Sequence, residues 1–168
     1  LIATVAFYER DPVPSVDLLQ ATAADGKVTG TKRFVPHAGA ADLLLVVGRA
    51  GTVAAVERGA AGTMVERADT LDPAQRDATV RFQDTPAETL PGGREAVEAM
   101  LRRAAVAASA EMLGAARRSM QMSVDYAKTR EQFGQPIGSF QAVKHMCAEM
   151  LDEVEHSHAA TYYAAWAL

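Results

Sequence analysis

A change in sequence pattern near residue 91 constrains the fold of this chain more than any other feature. Pro91-Gly92-Gly93 is a strong break, and no proline follows it until Pro136. Between these points, apolar residues recur every three or four positions, which is the period of an α-helix. They are Val97, Leu101, Ala104, Ala108, Met112, Ala116, Met120 and Val124. The spacing predicts one helix from Arg94 to about Lys128, roughly 50 Å long, as is typical of a helical bundle.

A second long helix is predicted after a short polar segment. Residues 130–139 contain two glycines and a proline and therefore predict a loop. Ser139 is expected to be the N-cap of the helix that follows. The predicted apolar face of this helix is Phe140, Val143, Cys147, Met150 or Leu151, Val154 and Trp166. The two helices should form an antiparallel pair, and we expect further helices or another chain to cover its remaining apolar surface.

Short strand-like runs fill the chain from Leu1 to about Pro91. Asp25-Gly26 is a turn signal directly before the run Val28–Val35, and together they predict a hairpin. A continuous apolar run, Leu43–Val47, predicts a strand buried on both faces. Three further predicted strands are Thr52–Glu57, Gly62–Glu66 and Ala78–Phe82. This half therefore predicts a small antiparallel β-barrel or sandwich, and the whole chain is predicted to be α+β.

Composition argues against several classes of protein. With 49% hydrophobic and 23% charged residues, the chain is typical of a soluble globular protein. Its net charge of −4 argues against nucleic-acid binding, and no apolar run is long enough to span a membrane. The single cysteine, Cys147, suits a reducing compartment, for which we expect the cytoplasm. Since Leu1 and Leu168 both lie inside continuing patterns, we expect this to be a piece of a longer protein.

The most specific segment of the chain is Tyr126–Gln141. It reads Tyr-Ala-Lys-Thr-Arg-Glu-Gln-Phe-Gly-Gln-Pro-Ile-Gly-Ser-Phe-Gln. This closely resembles the link between the first two C-terminal helices of acyl-CoA dehydrogenases, where the pattern is Tyr-Ala, then Arg-x-Gln-Phe-Gly-x-Pro-Ile, then Phe-Gln. The likeness continues through residues 142–146 and 162–165. The resemblance implies that residues 92–168 are the first two helices of that family's C-terminal helical-bundle domain, truncated here.

A looser resemblance links residues 1–91 to the middle β-domain of the same family. The matching segments are Asp25-Gly26, Gly30-Thr31-Lys32-Arg33-Phe34-Val35, Ala38, Ala41-Asp42, Thr70-Leu71-Asp72-Pro73 and Val80-Arg81-Phe82. Two features depart from the family pattern. Pro36 stands where many members carry a hydroxyl residue that hydrogen-bonds near flavin N5, a bond that proline cannot make. The family's Thr-Glu-Pro-x-x-Gly-Ser-Asp loop is reduced to Tyr8-Glu9-Arg10-Asp11-Pro12, which keeps the glutamate but loses the glycine-serine part.

The resemblance implies an FAD-binding site whose residues are Arg130, Gln132, Phe133, Gln141, Phe34, Val35 and Pro36. Arg130 is expected to contact the FAD pyrophosphate, usually that of a neighbouring subunit, because a guanidinium can hold two phosphate oxygens. The two glutamines would hydrogen-bond to FAD, Phe133 would pack on it, and residues 34–36 would lie against the isoalloxazine ring. From the residues alone, Arg130 could instead cap the preceding helix, and residues 34–36 could be an ordinary hairpin strand.

The resemblance also implies a reaction, the α,β-dehydrogenation of an acyl-CoA thioester in fatty acid and lipid metabolism, with electrons passed to an electron-transfer flavoprotein. The glutamate base is expected beyond Leu168, because the first-helix position used by a minority of members is Ala104, which cannot act. A homo- or hetero-oligomer, dimer or tetramer, is expected. The alternative is a non-catalytic subunit of a mixed oligomer that contributes FAD contacts to its partner. A plain helical-bundle interaction protein is a third possibility.

Smaller features favour structural interpretations. Glu153-x-x-His156 and Glu155-x-x-His158 overlap on one helix, so they predict a solvated face and not a di-iron site, and no metal is expected. Gly48-x-x-Gly51 favours a hairpin turn over a phosphate loop. The pairs Arg102-Arg103 and Arg117-Arg118 are expected either to face CoA phosphates or to be ordinary exposed helix residues.

Overall fold

The computed structural model describes residues 1–10, 13–72, 74 and 76–168. Contacts divide the chain into two compact units, Leu1–Met100 and Leu101–Leu168. The first unit holds the strands β1 (Ala3–Ala6), β2 (Thr22–Ala24), β3 (Lys27–Pro36), β4 (Leu43–Val47), β5 (Val53–Glu57), β6 (Thr63–Arg67), β7 (Asp77–Pro86) and β8 (Glu88–Leu90). They are followed by α1 (Gly93–Thr129), β9 (Glu131–Gln132), β10 (Gln135–Pro136) and α2 (Gln141–Trp166). The predicted domain boundary between residues 91 and 92 stays a prediction.

The eight strands of the first unit form two four-stranded sheets, ordered β1-β4-β5-β8 and β2-β3-β7-β6. Alternate apolar residues of both sheets meet in one buried cluster, to which Leu44 of β4, Val28 of β3 and Val80 of β7 belong. The α+β class and the sandwich are therefore confirmed. The barrel alternative is wrong, because among the described residues the two sheets remain separate and do not pair into one closed sheet.

One strand pairing departs from the predicted antiparallel pattern. β1 runs parallel to β4, with Ala3 opposite Leu43 and Ala6 opposite Val46. A parallel pair needs a long connection between its strands, and here the hairpin of β2 and β3 lies within that connection. All other pairings are antiparallel within the described residues.

The predicted turns and strand positions agree closely with the structure. Asp25 and Gly26 have φ values of 52° and 72°, the left-handed conformation that both central residues of a two-residue hairpin turn adopt. β4 has its predicted bounds, and the Gly48–Gly51 segment joins it to β5 as a hairpin connection. β8 was not predicted, because three residues are too few to show a period, and it pairs with β5 at the sheet edge.

Helix α1 matches the predicted long helix, but the buried face differs from the predicted stripe. Ala104, Ala108 and Ala116 are exposed, and Met112 is 65% exposed. In the second unit, the residues of this helix that are at least partly buried are Leu101, Val106, Ser109, Leu113, Met120, Val124 and Ala127. Periodicity alone gives several overlapping stripes on an alanine-rich helix, so it did not select the correct one.

Helix α2 also forms, although two details of its prediction are wrong. Ser139 is not the N-cap, since its hydroxyl donates a hydrogen bond to the Pro136 carbonyl (2.7 Å) within a short 3₁₀ turn, and α2 begins at Gln141. Trp166 is 81% exposed and does not belong to the buried face, which centres on Val154. The Arg117 guanidinium lies 3.2 Å from the Glu155 carboxylate and links α1 to α2. No helix in the described ranges has the length and apolarity needed to cross a lipid bilayer.

Candidate cofactor-binding site

The segment after α1 is a tight hairpin and not an irregular loop. The backbone N–H of Arg130 donates to the Tyr126 carbonyl (2.8 Å), and the Arg130 carbonyl accepts from the N–H of Ile137 (2.7 Å). Between these two bonds, Gln132 of β9 pairs with Gln135 of β10. The backbone at Arg130 is therefore fixed at both sides, while no described residue accepts a hydrogen bond from its guanidinium.

Phe133 and Gly134 form the tip of this hairpin. Their φ values of 54° and 79° are both in the left-handed region, as a two-residue hairpin turn requires. The Phe133 side chain is 92% exposed, and its ring makes an edge contact with Phe140, at a centroid distance of 6.1 Å. A large apolar ring is thus held in a defined position without being buried by its own unit.

The two expected glutamines differ in their surroundings. The Gln132 side-chain amide donates to the Glu131 carbonyl (2.8 Å), so the side chain lies along the hairpin. Gln141 is exposed and is the first residue of α2. Arg130, Gln132 and Phe133 thus share one hairpin, and Gln141 starts the helix that follows it.

The close packing at Gly138 positions the hairpin against α1. A Cβ atom built on Gly138 would lie only 2.8 Å from the Ala127 carbonyl oxygen, so a larger residue would push the two segments apart. Ala127 is itself buried. The glycine is therefore needed for a close approach and not for an unusual φ value.

The three expected residues on β3 do not face the same way. A register irregularity between Lys32 and Val35 accompanies a φ of 51° at Phe34, which is 55% exposed. Pro36 is exposed, and its carbonyl accepts a hydrogen bond from the Thr4 hydroxyl (2.6 Å). Val35 is fully buried in the sandwich core, so only its backbone is available to a ligand.

The sequence did not lead us to predict the ion pair between Lys32 and Glu9. Lys32 is fully buried, and its Nζ lies 2.6 Å from Glu9 Oε1 and 3.0 Å from the Phe7 carbonyl. Glu9 also accepts hydrogen bonds from the backbone N–H groups of Gln20 (2.8 Å) and Ala21 (3.0 Å). One signal was available, since Lys32 occupies an inward position between Val28 and Val35 on β3.

The charges of this pair follow from burial and from hydrogen bonds. Burial lowers the pKa of Lys32, and the hydrogen bond to Glu9 offsets this only in part. Burial acts to raise the pKa of Glu9, but the hydrogen bonds from Lys32, Ala21 and Gln20 outweigh it and hold that pKa below its ordinary value. Glu9 is the residue that the resemblance matched to the glutamate of the family loop. Asp11 and Pro12 of that match, and Pro73, lie outside the described residues.

Comparison with known proteins decides the family. Residues 92–168 match the model of the acyl-CoA dehydrogenase C-terminal domain. The chain is 34% identical over 142 residues to acyl-CoA dehydrogenase IpdE2 of Mycolicibacterium smegmatis, across 83% of this chain and 42% of that protein. It is 55% identical over 62 residues to acyl-CoA dehydrogenase FadE34 of Mycobacterium tuberculosis, across 37% of this chain and 9% of that protein.

The solved Tcur3481-Tcur3483 steroid ACAD has the same fold, with a TM-score of 0.83 and 31% identity over 98% of this chain and 46% of that one. The chain belongs to the acyl-CoA dehydrogenase family. It spans less than half the length of each of these three relatives. Family membership rules out the plain helical-bundle interaction protein.

Members of the acyl-CoA dehydrogenase family are flavoproteins, and several residues of this chain have side chains that suit FAD. The exposed Phe133 ring and the unengaged Arg130 guanidinium suit a flat ring system and a diphosphate. On β3, Phe34 offers an exposed ring, but Pro36 offers no donor. The hairpin of residues 130–137 offers FAD both an aromatic ring and a positive charge. Strand β3 offers it packing contacts alone.

The remaining candidate features are ordinary surface groups. His156 lies 3.4 Å from Asp152, and His158 lies 3.7 Å from Glu155, each pair on the surface of α2. The described residues contain no cluster of three potential metal ligands. Ala104, for which the resemblance implied the base position of a minority of members, is exposed on α1.

Proposed function

We propose that this chain is part of an FAD-dependent acyl-CoA dehydrogenase that removes hydrogen from the α and β carbons of an acyl-CoA thioester. The observation that carries the proposal is the hairpin of residues 130–137, which exposes Phe133 and fixes the backbone of Arg130, whose guanidinium has no partner among the described residues. Exposing a phenyl ring in this way does not stabilise an isolated pair of helices. Members of the acyl-CoA dehydrogenase family are flavoproteins, which supports FAD as the common ligand of these two side chains.

Each residue of the proposed site has a separate role. Arg130 would hold the diphosphate of FAD by charge-assisted hydrogen bonds, and in the assembled oligomer this FAD would belong to a neighbouring subunit. Phe133 packs on the cofactor, and Gln132 and Gln141 donate or accept hydrogen bonds beside it. Phe34, Pro36 and the Val35 backbone would pack against the isoalloxazine ring and shield it from water.

FAD would supply the hydride acceptor for the substrate β carbon. We assign the removal of the α proton to a glutamate outside residues 1–168, because Ala104 has no group that could act as a base. An electron-transfer flavoprotein would be the partner that receives the electrons. We assign residues 1–91 to the middle β-domain, residues 92–168 to the C-terminal domain, and the protein to lipid metabolism in the cytoplasm.

A second candidate function is a non-catalytic subunit of a mixed oligomer. Two observations favour it: Ala104 cannot act as a base, and Pro36 removes a hydrogen bond to the flavin. Such a subunit would donate Arg130 and Gln132 to the FAD of its partner and would perform no chemistry itself. Family homologues form oligomers, which both candidates require.

The visible absorption spectrum of the full-length protein, purified alone and titrated with acyl-CoAs, tests the proposal. We expect a flavin spectrum that bleaches with at least one acyl-CoA. A colourless protein that gains flavin only when co-expressed with a second subunit would contradict the self-sufficient enzyme and support the donor subunit. A protein that gains no flavin under either condition would contradict both.

A further inference from the structure

A cleft of about 940 Å³ lies in the first unit, on the outer face of the sheet β2-β3-β7-β6. Its charged lining comes from strands that are distant in sequence and from the segment after β1. The charged residues are Arg10, Arg33, Arg67, Arg81, Glu9 and Glu66. Four guanidinium groups therefore surround one concave surface, which is an unusual concentration for a chain with a net charge of −4.

The two carboxylates of the cleft are already engaged. Glu66 lies 3.3 Å from the Arg81 guanidinium. Glu9 is directed to the buried Lys32 and accepts two backbone N–H groups, so its charge is compensated from below the cleft. The side chains of Arg10, Arg33 and Arg67 form no hydrogen bond or ion pair with any described residue. Three positive charges thus remain without a counter-charge in the described part of the cleft.

An anion with more than one negative charge is the ligand that this arrangement suits. Like charges lining a concave surface add their potentials and attract an anion of opposite sign. A guanidinium binds phosphate oxygens in pairs, which favours a phosphate over a single carboxylate. The hydroxyls of Thr31 and Thr79 also line the cleft and can donate to phosphate oxygens.

We propose that this cleft binds the diphosphate group that FAD and CoA have in common. The proposal rests on the proposed function, which brings both molecules to this chain. Arg33 directly precedes Phe34, and both are exposed on β3.

Calorimetric titration of the full-length, flavin-free protein with inorganic diphosphate tests the cleft directly. We expect Arg33→Gln and Arg67→Gln each to weaken binding about tenfold or more, because each removes a charge-assisted contact. Arg49→Gln removes an exposed arginine of the same unit outside the cleft and should leave the affinity unchanged. Arg33→Lys, which keeps the charge but loses the paired geometry, should weaken binding less than Arg33→Gln.

Titrations with FAD and with CoA identify the source of the diphosphate. If only FAD binding weakens in the Arg33→Gln and Arg67→Gln variants, the cleft holds the cofactor; if only CoA binding weakens, it holds the substrate. Unchanged binding of inorganic diphosphate in both variants, with circular dichroism showing that they fold, would overturn the proposal.

The two proposals of this chain can fail separately. One outcome would contradict only the proposal that the cleft binds diphosphate. In it, the protein carries flavin and oxidises acyl-CoA, but the cleft variants bind diphosphate as tightly as the parent does. The opposite outcome would contradict only the proposed dehydrogenase function. In it, the cleft arginines bind diphosphate, but the protein neither retains flavin nor oxidises any acyl-CoA.

Discussion

The Nζ atom of Lys32 lies 2.6 Å from Oε1 of Glu9, and the lysine side chain is completely buried while the glutamate is 12% exposed. The pair joins β3 to the segment that follows β1. A buried ammonium without its counter-charge is much less stable than the pair. Lys32 therefore depends on Glu9 more than Glu9 depends on Lys32, since Glu9 keeps two backbone donors.

Glu9→Gln should lower the free energy of unfolding by about 3 kcal/mol, because it leaves the Lys32 ammonium buried without a carboxylate. The double variant Glu9→Gln/Lys32→Met should recover much of this loss, since an apolar side chain then fills the buried position. Urea denaturation of the variants measures both effects. Glu88→Gln, at an exposed carboxylate of β8, is the control and should change stability by less than about 0.5 kcal/mol.

The contribution of Glu9 should depend on pH. The pKa of Glu9 is held below its ordinary value of 4.5, so the folded protein binds this proton less tightly than the unfolded chain does. Its stabilisation is therefore complete above pH 4.5 and is lost as the pH falls through the lowered pKa of the folded state. Urea midpoints between pH 7 and pH 3 should show the parent losing its advantage over Glu9→Gln only below 4.5. A difference that stays constant over this range would contradict the ion pair.

Gly138→Ala should destabilise the second unit by about 1–3 kcal/mol, because the added Cβ would meet the Ala127 carbonyl at 2.8 Å. Gly114→Ala is a matched control within α1, where nothing lies within 4 Å of the added atom. This control should stabilise the protein by about 0.5–1 kcal/mol, because alanine favours the helix. Thermal unfolding of both variants is the measurement, and equal shifts for the two would rule out the close approach.

Arg130→Gln should weaken FAD binding by about tenfold or more while leaving the unfolding temperature of the flavin-free protein unchanged. The guanidinium forms no bond with a described residue, so its removal affects the ligand and not the fold. Flavin retained after gel filtration, measured by absorbance, reports the binding. Lys144→Gln removes an exposed positive charge from α2 and should not affect flavin content. A comparable flavin loss in both variants would indicate a general charge effect.

Local features of this protein were predictable from its sequence. The period of three and four residues predicted α1 to within one residue at each end, because helix geometry repeats along the chain itself. The Asp25-Gly26 dipeptide predicted its hairpin, since only a few residue types adopt left-handed φ values easily. The segment around Arg130 indicated the family, and the comparisons confirmed it.

Features that join distant residues were decided only by the tertiary structure. Glu9 and Lys32 are separated by 23 positions. The alternation along β3 places Lys32 inward, but no local pattern shows that Glu9 is its partner. The same holds for the parallel pairing of β1 with β4 and for the arginines that three separate strands and the segment after β1 bring to one cleft. Periodicity and turn chemistry act between neighbouring residues, whereas burial and charge pairing depend on which segments the folded chain brings together.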